Sequence, residues 1–425
     1  MQPFGRYPVR FLAAAALTAG AALAAPVPGL AAERDIAAGE NLERTIDRAA
    51  AGDVLHLAAG RHAGPVVIDK KLSLLGRPGA TLEGDGKGSV ITLTAPGVTV
   101  RGLTIRGSGI DVPAMDSAIL VRQSARGALI EDNRLEGNLF GVYLHGAAKS
   151  VVRANTIVGR DDLRLSESGN GVSIWNAPGA KVIGNDIRYG RDGIFVNISK
   201  RNEFRDNTFT DLRFAIHYMY THDSKVIGNV SRGNHVGWAL MFSDRLEIRD
   251  NVSVDDRDHG LLLNYVNNSQ ITGNVVRGSR NKCLFIYNAH KNRVAGNHFE
   301  NCPIGIHFTA GSERNEVYGN AFVANRTQVK YVGSRNVVWS HEGRGNYWSD
   351  NAAFDLDGDG VADRPYRPND LVDDVLWRYP QAKLLLNSPA IDLLRLAQSQ
   401  FPGLLPGGVV DMAPLIDRPD IGGSE

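Results

Sequence analysis

An asparagine recurs through the middle of this chain at intervals of 22 or 23 residues, broken once by an interval of 30 residues. An apolar residue stands three positions before each asparagine, and most are followed two positions later by another apolar residue. Self-similarity at a fixed period is typical of solenoids, in which each repeat packs only on its neighbours. The recurring residues are Asn133, Asn155, Asn185, Asn207, Asn229, Asn251, Asn274, Asn297 and Asn320.

A second block repeats in step with the asparagines and has the two-residue period of a β-strand. It reads GIFVNI from Gly193, WALMFS from Trp238 and CLFIYN from Cys283. The second and fourth positions are apolar and are predicted to face the core, whereas the third and fifth face outward. In this alignment Met241 points inward and Leu240 points outward.

Repeats of about 22 residues with at least two short strands are too short to include a helix in each repeat. We therefore predict an all-β, single-stranded, right-handed parallel β-helix, a solenoid like that of pectate lyases, over residues 33–345. Its asparagines should stack at one corner and bond the neighbouring backbone. A helix near residues 42–51 should cap the N-terminal end. Residues 346–425 should form an irregular or helical C-terminal extension.

The outward columns of the second block are more apolar than a water-facing surface should be. They include Phe195, Leu240 and Phe285. Either a partner protein binds this face or the C-terminal extension covers it, and the sequence leaves both open. Trp175 and Tyr287 allow a third interpretation, in which exposed aromatic rings bind sugars passively.

The first 32 residues predict an export signal. Two arginines precede the apolar run Phe11–Leu23, which is too short to cross a bilayer. The balance of 47 basic against 46 acidic residues disfavours nucleic acid as a partner. We expect a protein outside the cytoplasm, where Cys283 and Cys302, predicted on adjacent repeats, could form a disulfide or remain two buried thiols.

An acidic segment near the C-terminus has the spacing of a calcium loop. Asp355, Asp357, Asp359 and Asp363 spell D-x-D-x-D-G-x-x-D with Gly360. Oxygen ligands at these positions suit structural Ca²⁺, although tyrosine replaces glutamate at the twelfth position. A turn held by hydrogen bonds alone is the alternative.

The last segment of the chain has the pattern of a short helix followed by an apolar tail. Ser388 can cap a helix that begins at Pro389. Leu393, Leu394 and Leu396 follow at helical spacing. We predict that this helix and the tail FPGLLPGGVVDMAPL dock on a membrane partner or pack on the end of the solenoid.

Four segments carry a resemblance to a known family. They read HYMYTHDSKVIGN from His217, WALMFSDRLEIRDN from Trp238, HGLLLNYVNNSQITGN from His259 and GNYWSDNAAFDLDGDGVADRPYRP from Gly345. These segments resemble the NosD family, and the resemblance extends over nearly the whole mature chain. It implies a periplasmic protein without catalytic activity, associated with the inner membrane through an ABC transporter. Such a protein would help to supply copper and sulfur to the copper centres of nitrous oxide reductase.

The partners that the resemblance implies are the membrane subunit of the transporter, nitrous oxide reductase and a copper chaperone. Copper, bound transiently, would favour histidine, methionine or cysteine ligands. His217, Met219 and His222 form the best such cluster in the sequence. The predicted register brings no third soft ligand into one convergent set, so an ordinary surface histidine beside a methionine is the alternative.

The main rival function is a uronate epimerase or lyase on the same scaffold. That chemistry needs a base, an acid and a cation in one groove. Asp255, Asp256, Arg257, Asp258 and His259 supply these residue types. A solvated corner of the solenoid is the plainer interpretation of the same segment.

Overall fold

The polypeptide winds into a right-handed parallel β-helix of about 14 turns over its described residues. The computed structural model of the 425-residue chain describes residues 31–333, 335–385, 388–401 and 407–422. The predicted fold class is confirmed. The predicted export signal lies outside the described residues except for its last two positions, and residues 402–406 of the predicted tail also lie outside.

Each full turn contributes one strand to each of three parallel sheets, A, B and C. Numbered along the chain, sheet A contains β1 (Glu33–Ile36), β2 (Val54–Leu57), β5 (Ser73–Gly76), β8 (Thr99–Arg101), β11 (Leu129–Glu131), β14 (Val151–Arg153), β17 (Lys181–Ile183), β20 (Glu203–Arg205), β23 (Lys225–Ile227), β26 (Glu247–Arg249), β29 (Gln270–Thr272), β32 (Arg293–Ala295) and β35 (Glu316–Tyr318). Sheet B contains β3 (Gly60–Ala63), β6 (Ala80–Glu83), β9 (Thr104–Arg106), β12 (Arg134–Glu136), β15 (Thr156–Val158), β18 (Asp186–Arg188), β21 (Thr208–Thr210), β24 (Val230–Arg232), β27 (Val252–Val254), β30 (Val275–Arg277), β33 (His298–Glu300), β36 (Ala321–Val323) and β39 (Tyr347–Trp348). Sheet C contains β4 (Val66–Ile68), β7 (Ile91–Leu93), β10 (Ser117–Val121), β13 (Phe140–His145), β16 (Val172–Trp175), β19 (Asp192–Asn197), β22 (Phe214–Met219), β25 (Val236–Asp244), β28 (His259–Asn267), β31 (Lys282–Tyr287), β34 (Ile304–Thr309) and β37 (Thr327–Val332).

Alternation along the strands builds the core. In β22, Ile216 and Tyr218 are fully buried, while His217 and Met219 face outward and are half-buried. Because the turns stack in parallel, each inward residue lies above its counterpart in the turn before, and the columns merge into one continuous apolar core. Burying an aliphatic or aromatic side chain in such a core contributes roughly 1.5–3 kcal/mol.

The asparagine column forms the predicted ladder at the corner between sheets A and B. Nδ2 of Asn207 donates to Oδ1 of Asn229 at 2.9 Å, and Asn229 repeats this bond to Asn251 at 3.0 Å. The same Nδ2 of Asn229 also donates to the carbonyl of Phe204 on the turn before, at 2.9 Å. These side chains are fully buried, so the ladder satisfies polar groups that water cannot reach.

The ladder ends on a carboxylate from the C-terminal extension. Asn320 donates to Asn346 at 2.8 Å. Asp411, fully buried, then accepts from the backbone N–H of Asn346 at 2.7 Å and from Nε1 of Trp348 at 2.8 Å. The last turn of the solenoid is therefore hydrogen-bonded to a segment more than 60 residues further along the chain.

The two cysteines form a disulfide between adjacent turns, with Cα atoms 5.7 Å apart. Cys283 occupies the inward position that Gly260 and Gly305 hold in the flanking turns. Cys302 lies at the corner before β34. The bond closes a loop of one coil, which contributes on the order of 3 kcal/mol by restricting the unfolded chain.

Helices lie at both ends of the solenoid. Helix α1 (Leu42–Arg48) falls within the predicted capping segment, and its N-cap, Asn41, accepts from the backbone of Arg44 at 2.8 Å. The C-terminal extension contains α2 (Leu371–Arg378), a 3₁₀ helix (Pro380–Leu385) and α3 (Pro389–Gln400). Its strand β40 (Gly408–Val410) pairs in parallel with β38 (Asn336–Val338), which precedes the extension.

Candidate functional site

The structure shifts one repeat of the predicted strand register by one residue. Trp238 and Leu240 of β25 pair with inward residues of β22 and are fully buried. The prediction that Leu240 faces outward to bind a partner is therefore wrong. Gly237, and not Trp238, occupies the first position of the block. A Cβ atom at this position would lie only 2.5 Å from the carbonyl oxygen of Gly260, so a larger residue does not fit there.

A buried carboxylate holds His217 on the outward face of sheet C. Nδ1 of His217 lies 3.1 Å from Oδ2 of Asp192, whose side chain is 1% exposed. Arg213 donates to both oxygens of this carboxylate, at 2.8 Å from Nε and 2.6 Å from Nη2. Burial alone would raise the pKa of Asp192, but hydrogen bonds from His217 and Arg213 and the guanidinium charge together lower it. Asp192 thus stays ionised and fixes the orientation of the imidazole ring.

Two methionines lie beside this histidine. Met219 and Met241 are register partners on β22 and β25, and both are half-buried. The predicted register turned Met241 into the core, so its outward position is a second correction. Ala239 pairs with His217 and faces outward, yet it is fully buried. The longer side chains around Ala239 therefore close over it.

His222 does not join this cluster in the described structure. It lies past the corner that follows β22, where its backbone forms an isolated parallel β-bridge with Lys200 on the turn before. Its Nδ1 accepts from the backbone N–H of Asp244 at 3.1 Å. Of the predicted copper set, the structure places His217 and Met219 together and leaves His222 apart.

Phe195 and Phe285 lie half-buried on the outward face of sheet C. Phe195 packs on His217 with ring centroids 5.0 Å apart, and Phe285 stacks on His307 at 4.7 Å. The described hydrogen bonds between extension and solenoid lie at the last turns, through Asp411 and through Asn369, which donates to the carbonyl of Val329. They do not reach the turns of Phe195 and Phe285.

An aromatic ridge, which the sequence analysis missed, runs along the carboxyl-terminal ends of the sheet C strands. It comprises Tyr220, Phe242, Tyr265 and Tyr287, whose successive ring centroids lie 5.2, 5.3 and 6.0 Å apart. The three tyrosines are 42–49% exposed. A contiguous exposed row of large aromatic side chains is uncommon on a surface meant for water alone.

The backbone of the aromatic ridge is strained. Tyr220, Phe242 and Tyr265 have φ values of 53°, 49° and 52°, a left-handed conformation that costs bulky residues roughly 1–2 kcal/mol each. In the same column Asn288 follows Tyr265, and Asn176 precedes Ile198, the residue before Tyr220 in the column; the two asparagines have φ of 45° (Asn176) and 44° (Asn288), and Ile198 has φ of 51°. Asparagine tolerates this conformation better. The sequence signal for the ridge is an aromatic residue at a corner position where other repeats have asparagine.

A basic column runs parallel to the aromatic ridge at the corner that follows sheet C. Its members are exposed and also have left-handed backbone: Lys149, Arg201, Arg245, Lys291 and Arg314. Asp223 interrupts the column and pairs with Arg245 at 2.6 Å. Tyrosine and arginine together are typical of the energetically important residues of protein–protein interfaces.

The predicted docking leucines lie on α3. Leu393 is 66% and Leu396 58% exposed, whereas Leu394 is half-buried. The helix begins at Pro389 as predicted, but the side chain of Ser388 makes no capping hydrogen bond. Among the described helices, none combines the length and the apolar character needed to cross a bilayer.

The acidic loop brings three of its four predicted ligands together. Carboxylate oxygens of Asp355, Asp357 and Asp359 lie within 4.8 Å of one another. Oδ2 of Asp363 instead accepts from the backbone N–H of Leu356 at 2.8 Å. The donor set consists of carboxylates and fits a hard cation such as Ca²⁺.

The residues of the rival sugar chemistry converge only in part. Nδ1 of His259 lies 3.1 Å from Oδ1 of Asp258, but Asp256 and Arg257 are placed apart. Asp256 is fully buried in the core, and Arg257 donates to the carbonyl of Leu212 at 3.1 Å. Burial lowers the pKa of His259 to about 4, with a further contribution from Lys282. A cleft of about 570 Å³ beside this segment is lined by Arg257 but not by Asp256 or His259.

The buried Asp256 explains a break in the apolar columns. Ser231 and Ser253 replace the apolar residue two positions after the ladder asparagine. Three groups donate to the carboxylate of Asp256. They are Oγ of Ser253 at 2.6 Å, Oγ of Ser231 at 2.8 Å and the backbone N–H of Asn234 at 2.8 Å. Burial nevertheless raises the pKa of Asp256 to about 7, and these hydrogen bonds oppose the rise.

Comparison with known proteins identifies close relatives. The family profile described as "Periplasmic copper-binding protein (NosD)" matches residues 154–353. A protein of Pseudomonas aeruginosa named "Probable ABC transporter binding protein NosD" is 44% identical over 376 residues, which cover 85% of this chain and 88% of the relative. A protein of Stutzerimonas stutzeri with the same name is 40% identical over 377 residues, covering 85% and 86% of the two chains.

Solved structures with the same architecture are much more distant in sequence. PfbA, a surface adhesin of Streptococcus pneumoniae, superposes with a TM-score of 0.50 at 9% identity. The alignment covers 69% of this chain and 88% of the adhesin. Similarity at this level supports the β-helix fold alone.

We expect Asp256 to make the stability of the protein depend on pH. In the folded state the carboxyl group of Asp256 keeps its proton up to about pH 7, whereas an aspartate in the unfolded chain loses its proton near pH 3.9. The stabilisation from this group is therefore complete below about pH 4 and is lost as the pH rises to about 7, a change of up to about 4 kcal/mol. Urea unfolding at pH 5, 6, 7 and 8 should show this decline in the wild type and not in Asp256→Asn. The exposed Asp206→Asn is the control, and identical pH profiles for wild type and Asp256→Asn would refute the assignment.

Proposed function

The chain belongs to the NosD family, and from this membership we propose that it works in the periplasm as a non-catalytic accessory protein of an ABC transporter. In this role it helps to supply copper and sulfur to the copper centres of nitrous oxide reductase. The observation that carries the proposal is the 44% identity, over 85% of the chain, to a relative named as a probable ABC transporter binding protein. The family description adds the compartment and the metal.

Copper is a cargo in this proposal and not a resident cofactor. A cargo ion must be bound by ligands that suit it and then released to a partner. His217 and Met219 offer an imidazole and a thioether on one outward face, and these donors suit copper better than hard divalent ions. His222, at the neighbouring corner, remains a candidate for a ligand along the transfer route.

The partners bind at two regions in this proposal. The aromatic ridge and the basic column have the composition of a protein interface, and we assign them to a folded periplasmic partner, the reductase or a copper chaperone. Phe195 and Phe285 extend this surface across sheet C. The leucines of α3, Leu393, Leu394 and Leu396, are assigned to the membrane subunit of the transporter.

The uronate epimerase or lyase alternative has weaker support. Its required base, acid and cation must share one groove. The cleft that holds Arg257 lacks Asp256, which is enclosed in the core. Release of unsaturated ends from alginate or pectin by the purified protein would favour this alternative.

Deleting the gene should leave exported nitrous oxide reductase with far less copper. We expect at least a tenfold loss of copper per reductase subunit, measured by elemental analysis of the purified reductase, because the delivery step is missing. A plasmid copy of the wild-type gene should restore the metal. The amount of reductase in the periplasm serves as the control, and full copper loading in the deletion strain would reject the proposed function.

Replacing the aromatic ridge by asparagine should separate docking from folding. The triple variant Tyr220→Asn, Phe242→Asn and Tyr265→Asn keeps the left-handed backbone in the way that Asn176 and Asn288 do. We expect a thermal midpoint equal to or above that of the wild type, because strain is relieved. Co-purification of tagged protein with the reductase should fall at least tenfold.

Leu165→Asn, an exposed apolar position in the loop between β15 and β16, is the matched control and should bind as the wild type does. Undiminished co-purification of the triple variant with the reductase would exclude the ridge from the interface with the reductase.

Structural calcium at the acidic loop is a separate proposal. Adding millimolar Ca²⁺ to chelator-treated protein should raise its thermal midpoint, because an ion that binds only the folded state stabilises that state. Asp357→Asn should abolish the increase. An unchanged wild-type midpoint with and without Ca²⁺ would count against a calcium site at Asp355, Asp357 and Asp359.

A further inference from the structure

We propose that His217, Met219 and Met241 form a binding site for a soft monovalent metal ion, Cu(I) in the periplasm, and that Asp192 is its positioning residue. The proposal rests on the proposed function only for the physiological identity of the metal. The site itself is argued from register, burial and hydrogen bonding.

The first observation is the pairing of two methionines. The chain has five methionines in 425 residues, and two of them face each other across adjacent strands of one sheet. Neighbouring strands lie about 4.8 Å apart, so the flexible thioethers of Met219 and Met241 can reach one ion between them. Both side chains are half-buried. The ion would therefore be partly shielded from water and still accessible to a partner.

The second observation is the orientation of the histidine. His217 stands two residues before Met219 on the same face of β22, a separation of about 7 Å. Its Nδ1 faces Asp192, which pairs in register with Phe214 at the amino end of the strand. In the proposed site Nε2, which lies away from Asp192, points toward the carboxyl end of the strand, where the methionines lie. The described residues provide no hydrogen-bond partner for Nε2, which leaves this nitrogen available as a ligand.

The hydrogen bond to Asp192 is the arrangement that prepares a histidine to bind a metal. A ligating histidine almost always donates its other ring N–H to a carboxylate or a carbonyl. Asp192 accepts this bond, and its charge is neutralised by the bidentate bonds from Arg213. The ion pair of Asp192 and Arg213 carries no net charge, and Nη2 of Arg213 also lies 3.4 Å from Nδ1 of His217.

The donor set selects the class of metal. One imidazole and two thioethers suit Cu(I), whereas Ca²⁺ and Mg²⁺ require oxygen ligands. The only carboxylate in this group of described residues, Asp192, already bonds to Arg213 and His217. His222 faces the backbone of Asp244 at the next corner, so we exclude it from the primary set and replace it with Met241.

Nuclear magnetic resonance of methionine methyl groups tests the site on the full processed protein. With ¹³C at the methionine methyl carbons, Ag(I) serves as a redox-inert probe for Cu(I). One equivalent of Ag(I) should shift the methyl resonances of Met219 and Met241 and leave those of Met115 and Met412 in place. Shifts confined to Met219, or shifts of all four residues alike, would overturn the proposed site.

Affinity measurements with variants assign the ligands. The affinity for Cu(I) is measured by competition with a chelator. Met219→Leu, Met241→Leu and His217→Gln should each weaken binding at least tenfold, since each removes one donor atom and keeps a side chain of similar size. Met412→Leu, at an exposed methionine, is the control and should bind as the wild type does. His222→Gln, which lies outside the primary set, should weaken binding less than His217→Gln does. A wild-type affinity for Met241→Leu, or a loss for His222→Gln equal to that of His217→Gln, would contradict the ligand set.

Asp192→Asn tests the positioning role. It should lower the affinity for Cu(I) by roughly 10- to 100-fold, the range for partners that orient a metal ligand, with the two methionine methyl shifts still induced at higher Ag(I). A variant that melts earlier but binds Cu(I) with wild-type affinity would show that Asp192 is merely structural. The site and the proposed function can fail separately. If Met241→Leu no longer binds Cu(I) but the reductase in a strain with this variant is still fully loaded with copper, the metal site is real and the proposed function is wrong.

Discussion

Hydrogen bonding between successive turns is the interaction on which the rest of this protein depends. The strands of sheets A, B and C pair in parallel from one turn to the next, and the asparagine ladder adds side-chain bonds at one corner. A buried amide without partners costs about 1–3 kcal/mol, so the ladder has to be continued at its last member. Asp411 provides that continuation at Asn346 and connects the C-terminal extension to the end of the core.

Some residues depart from the regular repeat of the solenoid. These departures indicate either a functional surface or the energetic cost of maintaining one. Asp256 accepts from the backbone N–H of Asn234 on the preceding turn, just as Asn234 accepts from the backbone N–H of Leu212 one turn earlier. Its buried carboxyl requires Ser231 and Ser253 where other turns have apolar side chains. The aromatic ridge places bulky residues in a left-handed conformation that asparagine adopts with less strain. A solenoid can accommodate such local costs because every turn is stabilised by its two neighbours.

The two proposed surfaces adjoin. Tyr220 directly follows Met219, and Phe242 directly follows Met241, so the aromatic ridge begins where the proposed metal site ends. A partner that docks on the ridge would therefore cover the thioethers and could accept the ion without its release into solution. The same turns also hold Asp192 and Arg213, whose buried ion pair orients His217.

Much of the fold could be read from the sequence because its determinants are local and repeated. The 22- to 23-residue period predicted the solenoid, its inward columns and its asparagine ladder. The helical spacing of apolar residues between positions 42 and 51 predicted the helix at its N-terminal end. Strand alternation has a period of two, however, so a one-residue error in one repeat turns every side chain of that strand to the opposite face. The misplacement of Trp238 by one position sent Leu240 outward and Met241 inward for this reason.

What the sequence by itself determined is therefore the class of fold and the residues that fill its core, since these follow from composition and period. Tertiary structure alone decided which distant residues meet: Cys283 with Cys302, His217 with Asp192 from the preceding turn, and Met219 with Met241. It also decided which corners adopt left-handed backbone. These features depend on the register between turns and on the backbone angles at the corners, and a periodic pattern of residue types specifies neither of them.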